Sequence, residues 1–424
     1  MSAEPERDGR ARLIAGAWPA SRPPVILVDG GAGTAISVAR SLGKVGVKVY
    51  LLSQPDSPAV LSRHAQHIAR RCRDAAAWAA FLLDPISEPL RGAVLLACSD
   101  AALEMVIDHR TALGERFVLD ISDVSAQRAM LDKLATYLAA RQADVPTPRF
   151  WEVGSEEQIL DQAEDYVFPL IVKPLFSHRY AALSPGKFLY ARDVGELREA
   201  YRMADEHRLE VMLVEEIPGP DDLLCSYYTY VDESGVPCFD LTKRIIRRYA
   251  EHSGLACYHV TDWNPAVRDL GRRLLAHVGL LGLANVEFKR DKRDGQLKLI
   301  ECNARFTAAN GLLTAAGCDL APFVYERLVG LSPGTLGSYR LGRRLWNPGK
   351  DFRAFLELRA NGRLGLVSWL ASVAHRQVFY YFRWDDPLPA VVLTARAANN
   401  ALRARLRRAA GSAFVERLGG LGRR

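Results

Sequence analysis

ANVEFKRDKRDGQLKLIECNARF, residues 284–306, holds two runs of alternating apolar and polar residues on either side of an Asp-Gly pair at 294–295. An Asp-Gly pair between two such runs is typical of the turn in an antiparallel hairpin. Because successive side chains of a strand point to opposite faces, Glu301 and Asn303 share one face, and strand pairing can bring Glu287 beside them. The stretch therefore predicts a hairpin that gathers two carboxylates and one amide.

These three oxygen donors have the chemistry of a divalent-cation site. Two carboxylates and an amide oxygen are hard ligands suited to Mg²⁺, which can also hold nucleotide phosphates. A solvated hairpin with polar side chains is the alternative, and it accounts for the charged residues at 289–291. It does not account for Glu301 inside the apolar string LIECN or Glu287 inside NVEF, where burying an unpaired charge is costly. We therefore predict that Glu287, Glu301 and Asn303 bind a metal ion.

The N-terminal part of the chain predicts a parallel α/β layer. Residues 25–29, VILVD, form a short apolar run that is followed by the glycine loop GGAGTA, a helical pattern and the strand-like VKVYLLS. A later strand of the same sheet is expected at 93–100, and the intervening segment 63–84 is predicted to be largely helical. We expect a Rossmann-like layer over residues 23–125, preceded by a loose leader at 1–22.

The glycine loop raises a nicotinamide-dependent oxidoreductase as an alternative function. Gly30, Gly31 and Gly33 match the start of a dinucleotide fingerprint, but Ile36 stands in place of its third glycine. Ser53 lies at the end of the second strand, where an acid would hold a ribose. We therefore favour a tight strand-to-helix turn that faces a substrate cleft.

The middle of the chain mixes helices and strands. From residue 126 a helix is expected, and it ends before Pro146 and Pro148 because proline cannot continue it. Runs of β-branched and aromatic residues predict strands after it. The strands are expected at 168–174, 187–191 and 211–217 and in SYYTYVDESGVPCFDLTKRII, with helices at 195–208 and 265–280.

NVEFKRD followed by LIECNARF resembles the metal-binding hairpin of the ATP-grasp superfamily, and the other landmarks of that superfamily occur in the same order. The chain is similar to its bacterial carboxylate–amine ligases, of the D-aspartate-ligase-like type. The resemblance implies a combined α/β and α+β architecture. Its parts would be a Rossmann-like pre-ATP-grasp domain at 23–125, a two-lobed ATP-grasp core at 126–340 (small lobe 126–212, large lobe 213–340) and a basic helical C-terminal extension at 341–424.

The same resemblance implies nucleotide-binding residues. Lys133 and Lys173 match lysines that reach the nucleotide phosphates, for which an ammonium group is a suitable point charge. The string VEEIPGPDD resembles the hinge that meets adenine largely through main-chain atoms, with a following acid on the ribose hydroxyls. The hinge residues are Glu215, Glu216 and Ile217, and the ribose acid is Asp221 or Asp222.

Further cations are expected near the triphosphate and the reacting group. Lys187, with His178 and Arg179, lies in a polar segment where many superfamily members have a longer glycine-rich lid, and an exposed basic loop is the alternative there. Strand alternation sends Lys243 and Arg247 to the same side, where a phosphate could collect them, although a cluster of cations is usually a solvated face. The string KRIIRRY that contains both resembles the basic strand of carboxylate–amine ligases.

Arg305 follows the metal strand two residues after Asn303. In the superfamily an arginine at this place touches the acyl phosphate and the tetrahedral intermediate, whose oxyanion a guanidinium can neutralise without reorganisation. The implied reaction begins with attack of a carboxylate on the γ-phosphorus of ATP. An amine then attacks the acyl phosphate, and the products are an amide, ADP and phosphate.

Several alternatives stay open beside this mechanism. Mg²⁺ is the expected ion, and Mn²⁺ is a second choice. A regulatory protein that binds the nucleotide without turnover would share the fold, and a thioester or an ester is an alternative product to the amide. The two small-molecule substrates, a carboxylate and an amine, are not identified by any motif.

The charge distribution argues against nucleic acid as a partner. The arginines after residue 391 lie at 396, 403, 405, 407, 408, 417, 423 and 424, and with Glu416 they account for the whole formal net charge of +7. A basic C-terminal helix is usually a solvated or subunit-docking face, which leaves a homodimer open, and contact with an anionic membrane surface is the sharper alternative. The aromatic residues Trp369, 379–382 and Trp384 are expected to pack a helical cap, with an acceptor pocket or a membrane-facing belt as alternatives.

Cysteine usage and hydropathy favour a cytoplasmic protein. The seven cysteines form no C-x-x-C pair and none lies near a histidine at metal-finger spacing. The N-terminus lacks the apolar core of a secretory signal, and no apolar stretch is long enough to predict a membrane span.

Overall fold

Three β-sheets form the framework of the protein. The computed structural model describes residues 22–29, 31–69, 72–181, 189–252, 254–400 and 403. We call the sheets, in chain order, the N-terminal sheet, the small sheet and the large sheet. Within the described ranges, no helix has both the length and the apolar character that crossing a membrane requires.

The N-terminal sheet has four parallel strands in the order β3-β2-β1-β4. Its elements are β1 (Val25–Val28), α1 (Ala32–Lys44), β2 (Val49–Leu52), β3 (Gln66–Ile68), α2 (Ala75–Leu83), β4 (Val94–Ala97), α3 (Asp100–Asp108) and α4 (Arg110–Gly114), with 3-10 helices at Pro58–Leu61 and Pro85–Leu90. The strand-loop-helix-strand unit predicted at the start of the chain is confirmed. The helix predicted across 63–84 is wrong in its first half, because residues 66–68 pair with β2 and the helix begins only after its cap at Asp74.

The small sheet has four antiparallel strands in the order β5-β8-β6-β7. Its strands and the neighbouring helices are α5 (Val124–Leu131), α6 (Lys133–Gln142), β5 (Phe150–Glu152), α7 (Glu156–Asp161), β6 (Leu170–Pro174), α8 (Ser177–Ala181), β7 (Leu189–Ala191), α9 (Val194–Glu206) and β8 (Val211–Glu215), with a 3-10 helix at Ala163–Asp165. The single helix predicted from residue 126 is two helices. Asp132 separates them, because its carboxylate accepts the backbone N–H of Leu134 at 2.8 Å and of Ala135 at 3.1 Å and so caps α6.

The large sheet has seven strands in the order β13-β12-β9-β10-β11-β14-β15. Its elements are a 3-10 turn at Asp221–Leu223, β9 (Leu224–Val231), β10 (Leu241–Tyr249), β11 (Leu255–Asp262), α10 (Pro265–Val278), β12 (Gly282–Arg290), β13 (Leu297–Asn303), α11 (Asn310–Ala316), α12 (Leu320–Leu328), β14 (Arg344–Trp346) and β15 (Gln377–Phe379). The predicted hairpin is confirmed as β12 and β13. Gly295 in its turn has a φ of 72°, a left-handed conformation that favours glycine.

The sequence had predicted a helical C-terminal extension, but the extension also contains two strands. Its strands β14 and β15 extend the large sheet beyond β11, and they pair with each other in parallel. It also contains α13 (Pro348–Ala360) and α14 (Leu366–Val373), and residues 388–400 are helical. Most of the arginine-rich end predicted as a basic helix lies outside the described residues.

One apolar core joins the N-terminal sheet to the large sheet. α1 packs against α11 and α12, so that Leu42 of α1 and Leu312 of α11 belong to one buried cluster with Tyr230 and Leu345 of the large sheet. This packing sets the carboxyl ends of the N-terminal strands against the residues that follow β13. The domain boundaries expected from the sequence stay predictions.

Candidate active site

A row of polar residues crosses four strands of the large sheet. Lys243 on β10 is the register partner of Ser226 on β9, Ser226 is the partner of Glu287 on β12, and Glu287 is the partner of Glu301 on β13. Register partners in antiparallel strands present their side chains on the same face. The strand alternation predicted for the hairpin thus brings both carboxylates to one place.

Asn303 completes this group of oxygen-bearing side chains. It is the register partner of Asn285, and its Nδ2 lies 3.4 Å from Asn285 Oδ1 and 3.5 Å from Glu301 Oε1. A β-bulge directly after Glu287 shifts the pairing of the strand segments that lead to the turn, but it leaves Glu287 opposite Glu301. The structure therefore brings together all three predicted metal ligands. Among the described residues, no cluster of three or more His, Cys, Asp or Glu side chains forms a competing metal site.

Lys173 lies next to the carboxylates, beneath β13. Its Nζ donates to the carbonyl oxygen of Ile300 at 2.9 Å and to the hydroxyl of Tyr137 at 3.3 Å. Burial lowers the pKa of Lys173 to about 8, and the negative charges of Glu301 and Glu287 oppose that shift. Lys173 therefore has an ammonium group that is largely removed from water and directed at β13.

Lys133, at the start of α6, lines a small cavity together with Glu301 and Asn303. Its Nζ lies 3.5 Å from the carbonyl oxygen of Leu175. Burial lowers the pKa of Lys133, while Glu301 is the strongest of the charges that raise it. The two lysines that were predicted to reach phosphates thus both lie within the electrostatic influence of Glu301.

Arg305 is held by an acid from the N-terminal part of the chain. Its Nε donates to Asp100 Oδ1 at 2.6 Å, and its Nη1 donates to the carbonyl oxygen of Phe306 at 3.1 Å. Burial opposes both charges. Arg305, together with Lys133 and His178, nevertheless lowers the pKa of Asp100 to about 2, and Asp100 is the main charge that raises the pKa of Arg305. The guanidinium therefore has a fixed orientation and a permanent charge.

Asp100 was missed by the sequence analysis, although a signal was available. It directly follows Ser99, which caps α3, at the carboxyl end of β4. In open parallel sheets this edge is where ligands are bound. Glu104, one turn further along α3, was also missed. It accepts a hydrogen bond from Arg179 Nη2 at 2.7 Å and lies 2.7 Å from His178 Nε2, so it ties α8 to α3.

Lys243 and Arg247, which were predicted to share one side of the strand, have different partners, and the pairing of β10 with β11 is irregular on both sides of Arg247. Lys243 is buried, and its Nζ donates to Ser226 Oγ at 3.0 Å, beside Glu287. Burial lowers the pKa of Lys243, and Glu287 is the main opposing charge. Arg247 instead donates to both carboxylate oxygens of Asp351 at 2.6 and 3.0 Å and to Ser372 Oγ at 2.8 Å. The structure thus corrects the expectation that one phosphate collects both cations, because Arg247 holds the C-terminal extension.

The atoms of the predicted adenine hinge already have more hydrogen-bond partners within the protein than expected. Glu215 is buried and forms an ion pair with Arg293, and its Oε2 accepts the backbone N–H of Arg149 at 3.2 Å. The backbone N–H groups of Glu215 and Glu216 bond to carbonyl oxygens of neighbouring strands, and the carbonyl of Ile217 accepts Lys289 Nζ at 2.8 Å. The side chain of Glu215 therefore stabilises the hinge.

The two ribose candidates lie in different environments. Asp221 is buried, and its Oδ2 accepts the backbone N–H of His252 at 3.0 Å. The side-chain hydrogen bond that His252 donates to the Asp221 carboxylate raises the pKa of His252. Asp222 is exposed. Lys187, the remaining nucleotide-binding candidate, lies outside the described residues, as does Gly30 of the glycine loop.

The glycine loop is ordered by Asp29 and covered by the C-terminal extension. Asp29 accepts the backbone N–H of Gly31 at 2.6 Å and the hydroxyls of Ser53 and Ser57, each at 2.9 Å. A Cβ at Gly33 would lie 3.6 Å from a ring carbon of Tyr380. Ser53 thus has a structural role in the turn, and a tyrosine occupies the side of the loop that a dinucleotide would need. This geometry argues against the nicotinamide alternative.

The sequence is similar to two kinds of curated ligase, and no family model matches it. It is 27% identical over 285 residues to a D-aspartate ligase of Enterococcus faecium, an alignment that covers 62% of this chain and 66% of the relative. A D-alanine–D-alanine ligase of Stutzerimonas stutzeri is 27% identical over 213 residues, which is 49% of this chain and 66% of the relative. The chain therefore spans just under two thirds of the length of these curated relatives.

Solved structures show the same fold. N5-carboxyaminoimidazole synthetase from Staphylococcus aureus, complexed with ADP, superposes with a TM-score of 0.59 at 16% identity and covers 80% of this chain and 86% of its own. A match over 80% of the chain is too extensive to be confined to one of the three sheets.

Proposed function

We propose that this chain is an ATP-dependent ligase of the ATP-grasp superfamily, which activates a carboxylate as an acyl phosphate and couples it to an amine; its sequence similarity to two kinds of ligase and its fold support the proposal. The products are an amide, ADP and phosphate. One observation carries the proposal. Glu287, Glu301 and Asn303 meet on one face of the large sheet, with Lys173 below them and Arg305 just beyond.

The residues at this place suit a nucleotide–Mg²⁺ complex. Two carboxylates and an amide oxygen form a hard donor set. Burial lowers the pKa values of Lys173 and Lys243, and the charges of the carboxylates oppose that lowering. Two carboxylates facing each other in a partly buried sheet repel, and a divalent cation relieves that repulsion. When bound, Mg²⁺ would offset the charge of the β- and γ-phosphates.

The protein groups have separate tasks in the proposed reaction. Lys133 and Lys173 neutralise phosphate oxygens, and little rearrangement is needed because main-chain carbonyls already hold both ammonium groups. Arg305, oriented by Asp100, neutralises the oxyanion that forms when the amine attacks. We assign the substrate carboxylate to Lys243, whose Nζ donates to Ser226 Oγ beside Glu287.

We assign the ribose hydroxyls to Asp222 rather than Asp221. Asp221 already accepts the backbone N–H of His252, whereas Asp222 is exposed at the same turn. For adenine, the contribution of the hinge lies in the main chain near Ile217 and in the apolar cover of Val214, since the side chain of Glu215 is engaged by Arg293.

The names of the relatives favour an amino acid among the substrates, so the test begins there. The purified chain is incubated with ATP, Mg²⁺ or Mn²⁺, and a matrix of amino-acid carboxylates and amines, and ADP release is measured for each pair. We expect release that depends on both substrates, with a new amide detected by mass. A protein that binds ATP tightly and releases no ADP with any pair would instead be a nucleotide-binding regulator.

A further inference from the structure

Four arginines line one cavity at the edge of the large sheet that lies opposite β13. The cavity has a volume of about 250 Å³, and its lining includes Arg340, Arg343, Arg344 and Arg376. Among the described residues, no carboxylate lies within ion-pairing distance of any of these four guanidinium groups. The described carboxylates that form ion pairs do so with other cations, as Asp351 does with Arg247. We infer that this cavity is a binding site for a phosphate-class polyanion, distinct from the nucleotide site.

The parallel pairing of β14 and β15 explains how the arginines meet. Arg344 on β14 is the register partner of Gln377 on β15. The residues directly before them, Arg343 and Arg376, therefore enter two adjacent parallel strands side by side. Two cations 33 positions apart in the sequence are thus placed at the same end of the sheet, although nothing in the intervening helices requires it.

One of the four is fixed by packing. Arg344 Nη1 donates to the hydroxyl of Tyr258 at 3.2 Å and to the carbonyl of Ser372 at 3.3 Å, and its guanidinium lies over the Tyr258 ring at 5.6 Å from the centroid. An arginine held in this way keeps part of its donor fork for a ligand and loses less entropy on binding. Arg340 is placed by its own main chain, which donates to the carbonyl of Ala316 at 2.8 Å.

A purely structural role accounts poorly for this arrangement. The carboxyl end of α11 lies beside the cavity, and its partial negative charge of roughly half a unit favours cations there. That charge is too small to offset four guanidinium groups, whose mutual repulsion destabilises the folded state. An exposed basic surface would normally spread or pair such charges, whereas here they surround a concave space. A ligand with two or more negative charges removes the repulsion and uses the bidentate geometry of arginine.

The cavity is large enough for a diphosphate or a phosphorylated headgroup, and its openness to solvent suits the end of a larger molecule. Two sources share this chemistry: a free phosphorylated compound, and the headgroup of an anionic lipid. The test distinguishes them with separate probes.

Inorganic pyrophosphate is titrated into the full-length chain by calorimetry, with saturating ADP and Mg²⁺ present so that the nucleotide site is filled. We expect one binding event, weakened at least tenfold in Arg343→Gln/Arg376→Gln, because two charge-assisted contacts are lost. The control Arg198→Gln/Arg202→Gln removes the same charge from α9, where both arginines pair with Glu156 away from the cavity, and should bind as the wild type does. In the cavity variant the melting temperature should stay equal or rise, since repulsion is relieved.

Sedimentation with vesicles identifies the source. Phosphatidylcholine vesicles that contain phosphatidylglycerol are compared with pure phosphatidylcholine vesicles for the same three proteins. Binding to the anionic vesicles that is lost in the cavity variant indicates a lipid headgroup, and pyrophosphate binding without vesicle binding indicates a soluble phosphorylated ligand. An equal pyrophosphate affinity in the wild type and the cavity variant would overturn the inference, and so would a lower melting temperature of the variant in the absence of any ligand.

Discussion

At the scale of single residues, the pairing of Glu287 with Glu301 is the basis of the proposed metal site. Two carboxylates opposite each other on neighbouring strands repel, and the positive charges of Lys173 and Lys243 act against that repulsion. Glu301→Gln keeps the volume and removes one charge. We expect it to abolish ADP release at saturating Mg²⁺ while the melting temperature stays equal or rises. ADP release close to that of the wild type would remove Glu301 from the ligand set.

Lys173 links affinity to pH. Lys173→Ala should weaken ATP binding by about 1.5 to 3 kcal/mol, the value of one charge-assisted contact. Burial lowers the pKa of Lys173 from 10.5 to about 8, so the free protein loses this positive charge as pH rises through that value. ATP affinity of the wild type should therefore fall with rising pH around pH 8, and that of Lys173→Ala should stay flat. The exposed Lys44 provides the control, since Lys44→Ala should reproduce the wild-type profile.

The same pKa shift affects stability with a definite sign. Between about pH 8 and pH 10.5 the unfolded chain binds the Lys173 proton and the folded chain does not. The contribution of Lys173 to the free energy of unfolding therefore increases as pH rises through this window. Stability and ATP affinity thus change in opposite directions.

The variant Arg305→Lys distinguishes a role of this residue in ATP binding from a role in the chemical step. Arg305→Lys keeps the charge and removes the planar fork that Asp100 orients. If the fork stabilises the oxyanion, single-turnover rates should fall by roughly 10²-fold while the dissociation constant of ATP hardly changes. The melting temperature is measured on the same preparation. An earlier melting transition with full activity per folded molecule would identify Arg305 as a packing residue of the turn after β13.

At the scale of elements, the break between α5 and α6 positions Lys133. Because Asp132 caps α6, the helix starts at Lys133. Asp132→Ala should lower the free energy of unfolding by about 1 kcal/mol, as for other lost N-caps, and should weaken ATP binding because Lys133 sits in the first turn. Melting curves and ATP titrations measure the two effects.

Asp132→Asn is the matched control for the cap. Asparagine also caps helices well, so this variant should recover most of the lost stability. Asp123 caps α5 in the same way, and Asp123→Ala should lower the melting temperature without the effect on ATP affinity. Loss of ATP affinity in Asp123→Ala as well would mean that general destabilisation, rather than the position of Lys133, causes the effect.

At the scale of the whole molecule, a buried ion pair connects α1 to the C-terminal extension. Arg40 on α1 donates its Nε to Asp386 Oδ2 at 2.8 Å, and Asp386 also accepts the hydroxyl of Ser62 at 2.7 Å. Both charged side chains are almost fully buried. Asp386→Ala would leave the guanidinium buried without its partner, and we expect a cost of about 3 to 5 kcal/mol. Melting temperature and the rate of proteolysis in the C-terminal extension measure the loss.

Two further variants complete this test. Asp385 lies directly before Asp386 in the chain and is partly exposed. Asp385→Ala should have little effect, because its pair with Arg383 lies at the surface. Arg40→Met/Asp386→Leu removes both charges and should recover much of the stability, since no charge remains buried. If Asp386→Ala and Asp385→Ala melt at the same temperature, the buried pair does not hold the extension.

The sequence by itself determined the features that arise within short stretches. Strand alternation and the Asp-Gly turn act within 23 residues, so they were enough to predict β12, β13 and the meeting of Glu287, Glu301 and Asn303. The strand-loop-helix-strand unit at the start of the chain is local in the same sense. In each case the physical cause is a backbone preference or a periodicity that neighbouring residues share.

Only the tertiary structure decided which charges pair across the chain. Arg305 meets Asp100 from 205 residues away, and Arg40 meets Asp386 from 346 residues away. Arg247, which alternation had placed beside Lys243, is held instead by Asp351, 104 residues further on. An ion pair depends on the distance and burial of two groups and has no period along the chain, so a sequence with 56 basic and 49 acidic side chains offers far too many combinations to choose from. The packing of elements that are distant in the sequence makes that choice, as where α13 packs against β10 and brings Asp351 to Arg247.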